Sequence, residues 1–183
     1  MRRQNSQTVA RGPSPLAVAV GAALVLVAAA LAMQRCGFNL ASHEGRAVAI
    51  DGDSLRLNSV ELRLKGIDAP EYRQVCLDGQ GREYACGRLA RRALAALVEG
   101  QGLRCAETGW DRFGRALAIC RTPDGRDIAA EMVRQGMAVA FGDFDAIEAE
   151  ARMARRGIWA GSFERPSEWR RRHPREDGLT DRR

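Results

Sequence analysis

Residues 54–65 alternate apolar and polar side chains almost without fault: Leu55 and Leu57 against Ser54 and Arg56, then Val60, Leu62 and Leu64 against Glu61, Arg63 and Lys65. Successive side chains of a strand point to opposite faces, so this pattern suits a sheet with one dry and one wet face and does not suit a helix. Asn58-Ser59 between the two runs predicts a two-residue hairpin turn. Upstream, Val48 and Ile50 alternate with Ala47 and Ala49 and add a further strand. On this reading Arg63 points away from the Leu62/Leu64 face, to the wet side of the sheet where a ligand can lie.

The rest of the folded region continues in short elements. Residues 68–83 read as a long surface loop rich in Gly and charge. A helix is predicted over 84–99, with Leu89, Ala93, Leu94, Leu97 and Val98 on one stripe and Gly100 as its stop. Residues 102–106 and 115–120 form a second antiparallel pair, joined by a turn containing Trp110 and Gly114. Asp127 is placed to cap a helix over 128–135 that ends at Gly136, and a third helix covers 145–156 before Gly157. Five strands and three helices in this order fit an α+β fold, an OB-type five-stranded barrel with helices.

Residues 15–33 are 19 consecutive uncharged, almost wholly apolar positions preceded by Arg2, Arg3 and Arg11. A helix of that length reaches about 28 Å, close to the hydrocarbon thickness of a bilayer. The flanking arginines hold the N-terminus in the cytoplasm. The chain is therefore divided into a cytoplasmic basic tail (1–14), a single-pass transmembrane anchor (15–33), a polar linker (34–44), a folded domain (45–164) and a basic, disordered tail (165–183) without a specific role. The domain then lies on the periplasmic or extracellular side of an inner membrane. A cleaved signal with Ala30-Leu31-Ala32 as its site is the alternative, and would release the domain as a secreted protein.

Cysteine usage fits that exported setting. His is scarce and no Cys-x-x-Cys spacing occurs, which argues against zinc. Cys105 and Cys120 fall on the two arms of one predicted hairpin, where facing positions are near enough to bridge. Cys76 in the long loop and Cys86 at the start of the next helix form the second predicted disulfide, leaving Cys36 unpaired. A net charge of +6 in a chain of 183 residues suits a polyanionic partner, nucleic acid or a membrane surface, although arginine-rich codon usage produces the same excess.

Three clusters carry the chemistry: Asp51-Gly52-Asp53, then Arg63 with Asp68-Ala69-Pro70-Glu71, then Asp111-Arg112-Phe113-Gly114-Arg115. Each has a plain structural explanation as a turn, a loop start or a charged hairpin. Together they supply hard oxygen ligands for a divalent cation, a carboxylate to act on water, and two guanidinium forks shaped for phosphate oxygens. In order and spacing, from Arg46 to Arg170 and including Val-Arg-Gln-Gly at 133–136 and Gly-Ile-Trp-Ala-Gly at 157–161, the constellation resembles the staphylococcal nuclease-like (thermonuclease) family.

That resemblance implies a calcium-dependent endonuclease on an OB fold. It assigns Arg63, Glu71 and Arg115 to catalysis: the arginines to the scissile phosphate, Glu71 to the attacking water. It assigns Asp53 and Asp68, by side chain, and Ala69, by its carbonyl, to Ca²⁺. Asp51 would add charge behind them. It places Arg112, Phe113, Phe141 and Phe144 against the nucleic acid, with Phe113 where the family usually has Tyr. The implied substrates are single-stranded or flexible DNA and RNA, cut at P–O5′ to leave 3′-phosphates; no protein partner is inferred. Two rival readings share the fold: a nucleic-acid-binding OB module without chemistry, and an envelope phosphodiesterase with another substrate.

Overall fold

The computed structural model describes residues 41–174; the apolar run 15–33, Cys36 and the residues from 175 onward lie outside the described residues. Five strands close into a barrel in the order β1 (Ser42–Ala49), β2 (Ser54–Leu57), β3 (Val60–Leu64), β8 (Ala116–Arg121) and β7 (Gly102–Trp110). All neighbours are antiparallel except β3 and β8, which run parallel. Two further pairs lie outside the barrel: β4 (Ile67–Asp68) with β9 (Val139–Ala140), and β5 (Cys76–Leu77) with β6 (Glu83–Tyr84). Four helices complete the described residues: α1 (Cys86–Val98), α2 (Ile128–Arg134), α3 (Asp145–Met153) and α4 (Pro166–Arg172), with a 3₁₀ turn at Gly157–Ala160.

The barrel is filled by the alternation read from the sequence. Leu55, Leu57, Leu62 and Leu64 are buried with Leu103, Ala118 and the helix residues Ala90, Leu94, Ile128, Met132 and Val133. In β1 the smaller side chains are the ones that face the core. Ala47 and Ala49 face inward and Val48 is 67% exposed, because Ala47 pairs with Leu57 and Ala49 with Leu55. Residues directly opposite share a face, so register overrides the larger apolar side chain. β1 also begins at Ser42, inside the predicted linker, because its first half pairs with β7 through Ser42↔Ala106 and Arg46↔Gly102.

On α1 the buried line is Cys86, Ala90, Leu94 and Val98, with Ala93 and Leu97 packing at its edge. Asp127 caps α2 as expected, its carboxylate accepting the amides of Ala129 and Ala130. Cys105 and Cys120 face each other across β7 and β8 and are bridged, as are Cys76 and Cys86.

Two expectations need correction. The 68–83 stretch is not wholly surface loop: it carries β5, and Gln74 inside it is 0% exposed. The tail expected to be disordered from 165 contains α4, which starts with a proline at its first position, where the missing N–H costs nothing. The observed helices therefore number four, not three, among the described residues.

Candidate active site

The turn ahead of β2 sets the first acidic group. Asp51 Oδ1 accepts the Asp53 amide at 3.0 Å, and the Asp53 carbonyl accepts Leu64 N–H at 2.8 Å, locking the turn to β3. Gly52 is required by close approach, since a Cβ there would stand 2.6 Å from the Ala69 Cβ and 2.8 Å from the Ala90 Cβ. The Asp53 carboxylate thus reaches the segment after β4, where its Oδ2 accepts Ala69 N–H at 3.1 Å. Asp68 is the last residue of β4, held there by pairing with Val139.

Between these two carboxylates sits Arg63, opposite Ser54 in the β2–β3 register. Its Nη1 donates to Asp53 Oδ1 at 2.7 Å and its Nη2 to Asp68 Oδ1 at 2.9 Å. The side chain is half-buried rather than on an open wet face, and two of its five N–H groups are committed to acids. Asp53 and Asp68 are each 3% exposed. Burial pushes the Asp53 carboxyl up to about 7; Arg63 opposes the rise, and Asp51 and Asp68 add to it.

Charge and lone pairs test whether a divalent cation fits. Asp53 Oδ1 takes donors from Ser54 and Arg63, and Oδ2 one from Ala69. Asp68 Oδ1 takes donors from Arg63 and Arg170, and Oδ2 one from Arg170. Each carboxylate oxygen accepts about two hydrogen bonds, so one position remains on each Oδ2. Two buried acids with a position left on each Oδ2 offer hard oxygen of the kind Ca²⁺ takes. The set is small, and water or substrate must complete the coordination.

The β7–β8 hairpin brings Asp111, of the third cluster, to the same place. Asp111 organises its turn, accepting the amides of Phe113 at 2.8 Å and Arg115 at 2.9 Å and Arg115 Nε at 2.7 Å. Against the desolvation that would raise it, these hydrogen bonds hold the Asp111 carboxyl below its ordinary value. A cleft of about 430 Å³ is lined by Arg63, Asp68, Asp111, Phe141 and Arg170 among others. Phe141 is 70% and Phe113 69% exposed, and Arg112 and Arg115 lie over the Phe113 ring at 4.8 and 5.7 Å. Phe144 does not join them: it sits at the N-cap of α3 with a φ of 70° and packs against the core.

Glu71 follows Pro70 and is anchored on both sides. Its amide donates to Gln74 Oε1 at 3.1 Å, and its carboxylate accepts Arg170 Nη1 at 2.9 Å. Sequence reasoning missed Arg170 and Gln74. Arg170 stands in a run of arginines that reads as a solvated tail, and Gln74 in a stretch that reads as loop; the only available signal was Pro166 starting a short helix. Exposed Trp110, directly before Asp111, was also not singled out.

Residues 61–161 match the family described as staphylococcal nuclease homologue. The chain belongs to the staphylococcal nuclease family. Among its relatives, Protein ParB of Escherichia coli is 35% identical over 143 residues, covering 67% of this chain and 75% of that protein. An uncharacterized endonuclease of Haemophilus influenzae is 35% identical over 133 residues, 66% of this chain and 68% of its own length. Succinoglycan biosynthesis protein ExoI of Rhizobium meliloti is 38% identical over 96 residues, and this chain spans 50% of that protein. The closed five-stranded barrel fits that family's OB-type fold.

Proposed function

We propose that the protein is an exported, membrane-tethered endonuclease that uses Ca²⁺ to hydrolyse phosphodiesters of DNA and RNA. The observation that carries this reading is one hydrogen-bonded network, Asp53–Arg63–Asp68–Arg170–Glu71, beside a cleft that Arg63, Asp68 and Arg170 line. Asp53 and Asp68 would hold the ion with the Ala69 carbonyl, and the ion would supply positive charge to the phosphate oxygens. Arg63, fixed by its two acids, keeps three N–H donors for a phosphate. Arg115, fixed by Asp111, offers the second fork. Glu71 orients or deprotonates the water. Its oxygen bonds to phosphorus, the P–O5′ bond breaks, the 5′ oxygen leaves with a proton, and a 3′-phosphate remains.

Phe141 and Phe113 supply exposed rings at the cleft and its hairpin, and stacking favours flexible or single strands with little sequence preference. Two disulfides and the apolar run at 15–33 support an oxidising, extracytoplasmic setting. Digestion of labelled single-stranded DNA by the full chain, in Ca²⁺, Mg²⁺ or chelator, tests the reading. Cleavage with Ca²⁺ that stops with chelator is expected; strand binding without cleavage would favour the non-catalytic OB module. The likeness to a succinoglycan biosynthesis protein favours a second reading, an envelope phosphodiesterase, which would cleave non-nucleic-acid phosphodiesters and leave DNA and RNA intact.

A further inference from the structure

The family match ends at residue 161, yet the chain beyond it reaches back into the cleft. Arg170, from α4, spans the two acids that the chemistry needs. Its Nη1 donates to Asp68 Oδ1 and to Glu71 Oε1, both at 2.9 Å, and its Nη2 donates to Asp68 Oδ2 at 3.0 Å. An exposed ion pair would contribute little. Here Asp68 is buried, Glu71 is largely so, and the planar fork makes three charge-assisted bonds at once.

The same segment grips the catalytic loop at two other places. Buried Gln74 donates through Nε2 to the Glu164 carbonyl at 2.7 Å, while its Oε1 takes the Glu71 amide. Leu77 and Ser162 exchange backbone hydrogen bonds at 2.9 and 3.0 Å. Buried Glu148 adds a further anchor through Arg165 at 3.3 Å.

Resting on the nuclease reading, we propose that Arg170 is a positioning residue, carried to the active site by the anchoring contacts of Ser162, Glu164 and Arg165. Arg170 neutralises the repulsion between the Asp68 and Glu71 carboxylates and holds them at one separation, orienting Glu71 toward the water. Gln74 fixes the backbone from which Glu71 projects.

Single-turnover cleavage of labelled single-stranded DNA by the full chain tests this, beside binding of a non-hydrolysable oligonucleotide and amide hydrogen exchange. Arg170→Ala is expected to cut about 10–100-fold more slowly, the usual effect of losing a partner that orients an active-site group. Its oligonucleotide binding should be unchanged. Exchange at 69–74 should quicken while the barrel stays protected, and guanidinium at non-denaturing concentration should restore part of the rate. Arg170→Lys should fall between, keeping the charge without the three-oxygen contact, and Arg171→Ala on the same helix should match the wild type. An Arg170→Ala protein that cuts at the wild-type rate overturns the inference. So does a slow variant that guanidinium does not rescue and whose barrel protection is lost, since that is a folding defect. Wild-type protein that cuts nothing overturns the nuclease reading, and this inference with it.

Discussion

Arg63 is set apart from an ordinary surface arginine by having both ends of its fork held. Asp53 and Asp68 fix the guanidinium plane before any phosphate arrives, so less order is lost on binding. Lysine keeps the charge at that position but cannot span two acids and a phosphate. Arg63→Lys should therefore cut on the order of 10²–10³-fold more slowly, the scale for losing one preorganised contact to a reacting group. Stopped single-turnover reactions would read it, and a rate within a few-fold of wild type would remove Arg63 from the chemistry. Glu71→Gln should slow the same step while binding of a non-hydrolysable oligonucleotide is kept, because the amide cannot take a proton from water. The candidate residues were legible in the sequence, since the resemblance carried by residue type and order already named them. The partners of each group were not, because Arg170 lies 102 positions from Asp68 and no local pattern links them.

At the scale of elements, the loop that carries Glu71 is positioned by the helix behind it. Gly87 in the first turn of α1 donates its amide to the Gln74 carbonyl at 3.3 Å, and a Cβ there would overlap the carbonyl oxygen of Glu71. Gly87→Ala must push α1 and the loop apart. An overpacking cost of about 1–3 kcal/mol and a slower enzyme are expected together, measured as a lower denaturant midpoint and a lower single-turnover rate. Full activity in that variant would mean that the loop tolerates displacement. The disulfides act on different elements. Cys105–Cys120 ties β7 to β8 within the barrel, and Cys76–Cys86 ties β5 to the start of α1. Replacing Cys105 and Cys120 by Ala should cost about 2–4 kcal/mol of stability, read by denaturant unfolding, and leave the cleft chemistry in place in the protein that remains folded.

For the molecule as a whole, the folded region is a barrel with a cleft that Arg63, Asp68 and Arg170 line, and the proposed anchor decides where that cleft works. With residues 15–33 in a bilayer, the full chain should fractionate with membranes. The domain should be spared in intact cells, and digested by added protease once the outer envelope is permeabilised and the inner membrane still closed. Recovery of the full-length chain in the cytosol would refute the tether, and a soluble form beginning near Met33 would support signal cleavage instead.

The sequence by itself determined the five barrel strands, the two disulfides and the candidate acids and arginines other than Arg170. Alternation, turn residues and cysteine placement are local, and local patterns survive without knowledge of the fold. It did not say which face Val48 takes, which is set by the register with β2, nor that the Phe144 ring packs, partly buried, against the core. It also left residues 165–174 without a role. Only the tertiary structure could bring α4 against the loop after β4, because that contact depends on the path of the chain through α2, β9 and α3. Once the path is closed, a guanidinium that reads as one more tail charge finds two buried carboxylates, and the low-dielectric setting makes that meeting matter.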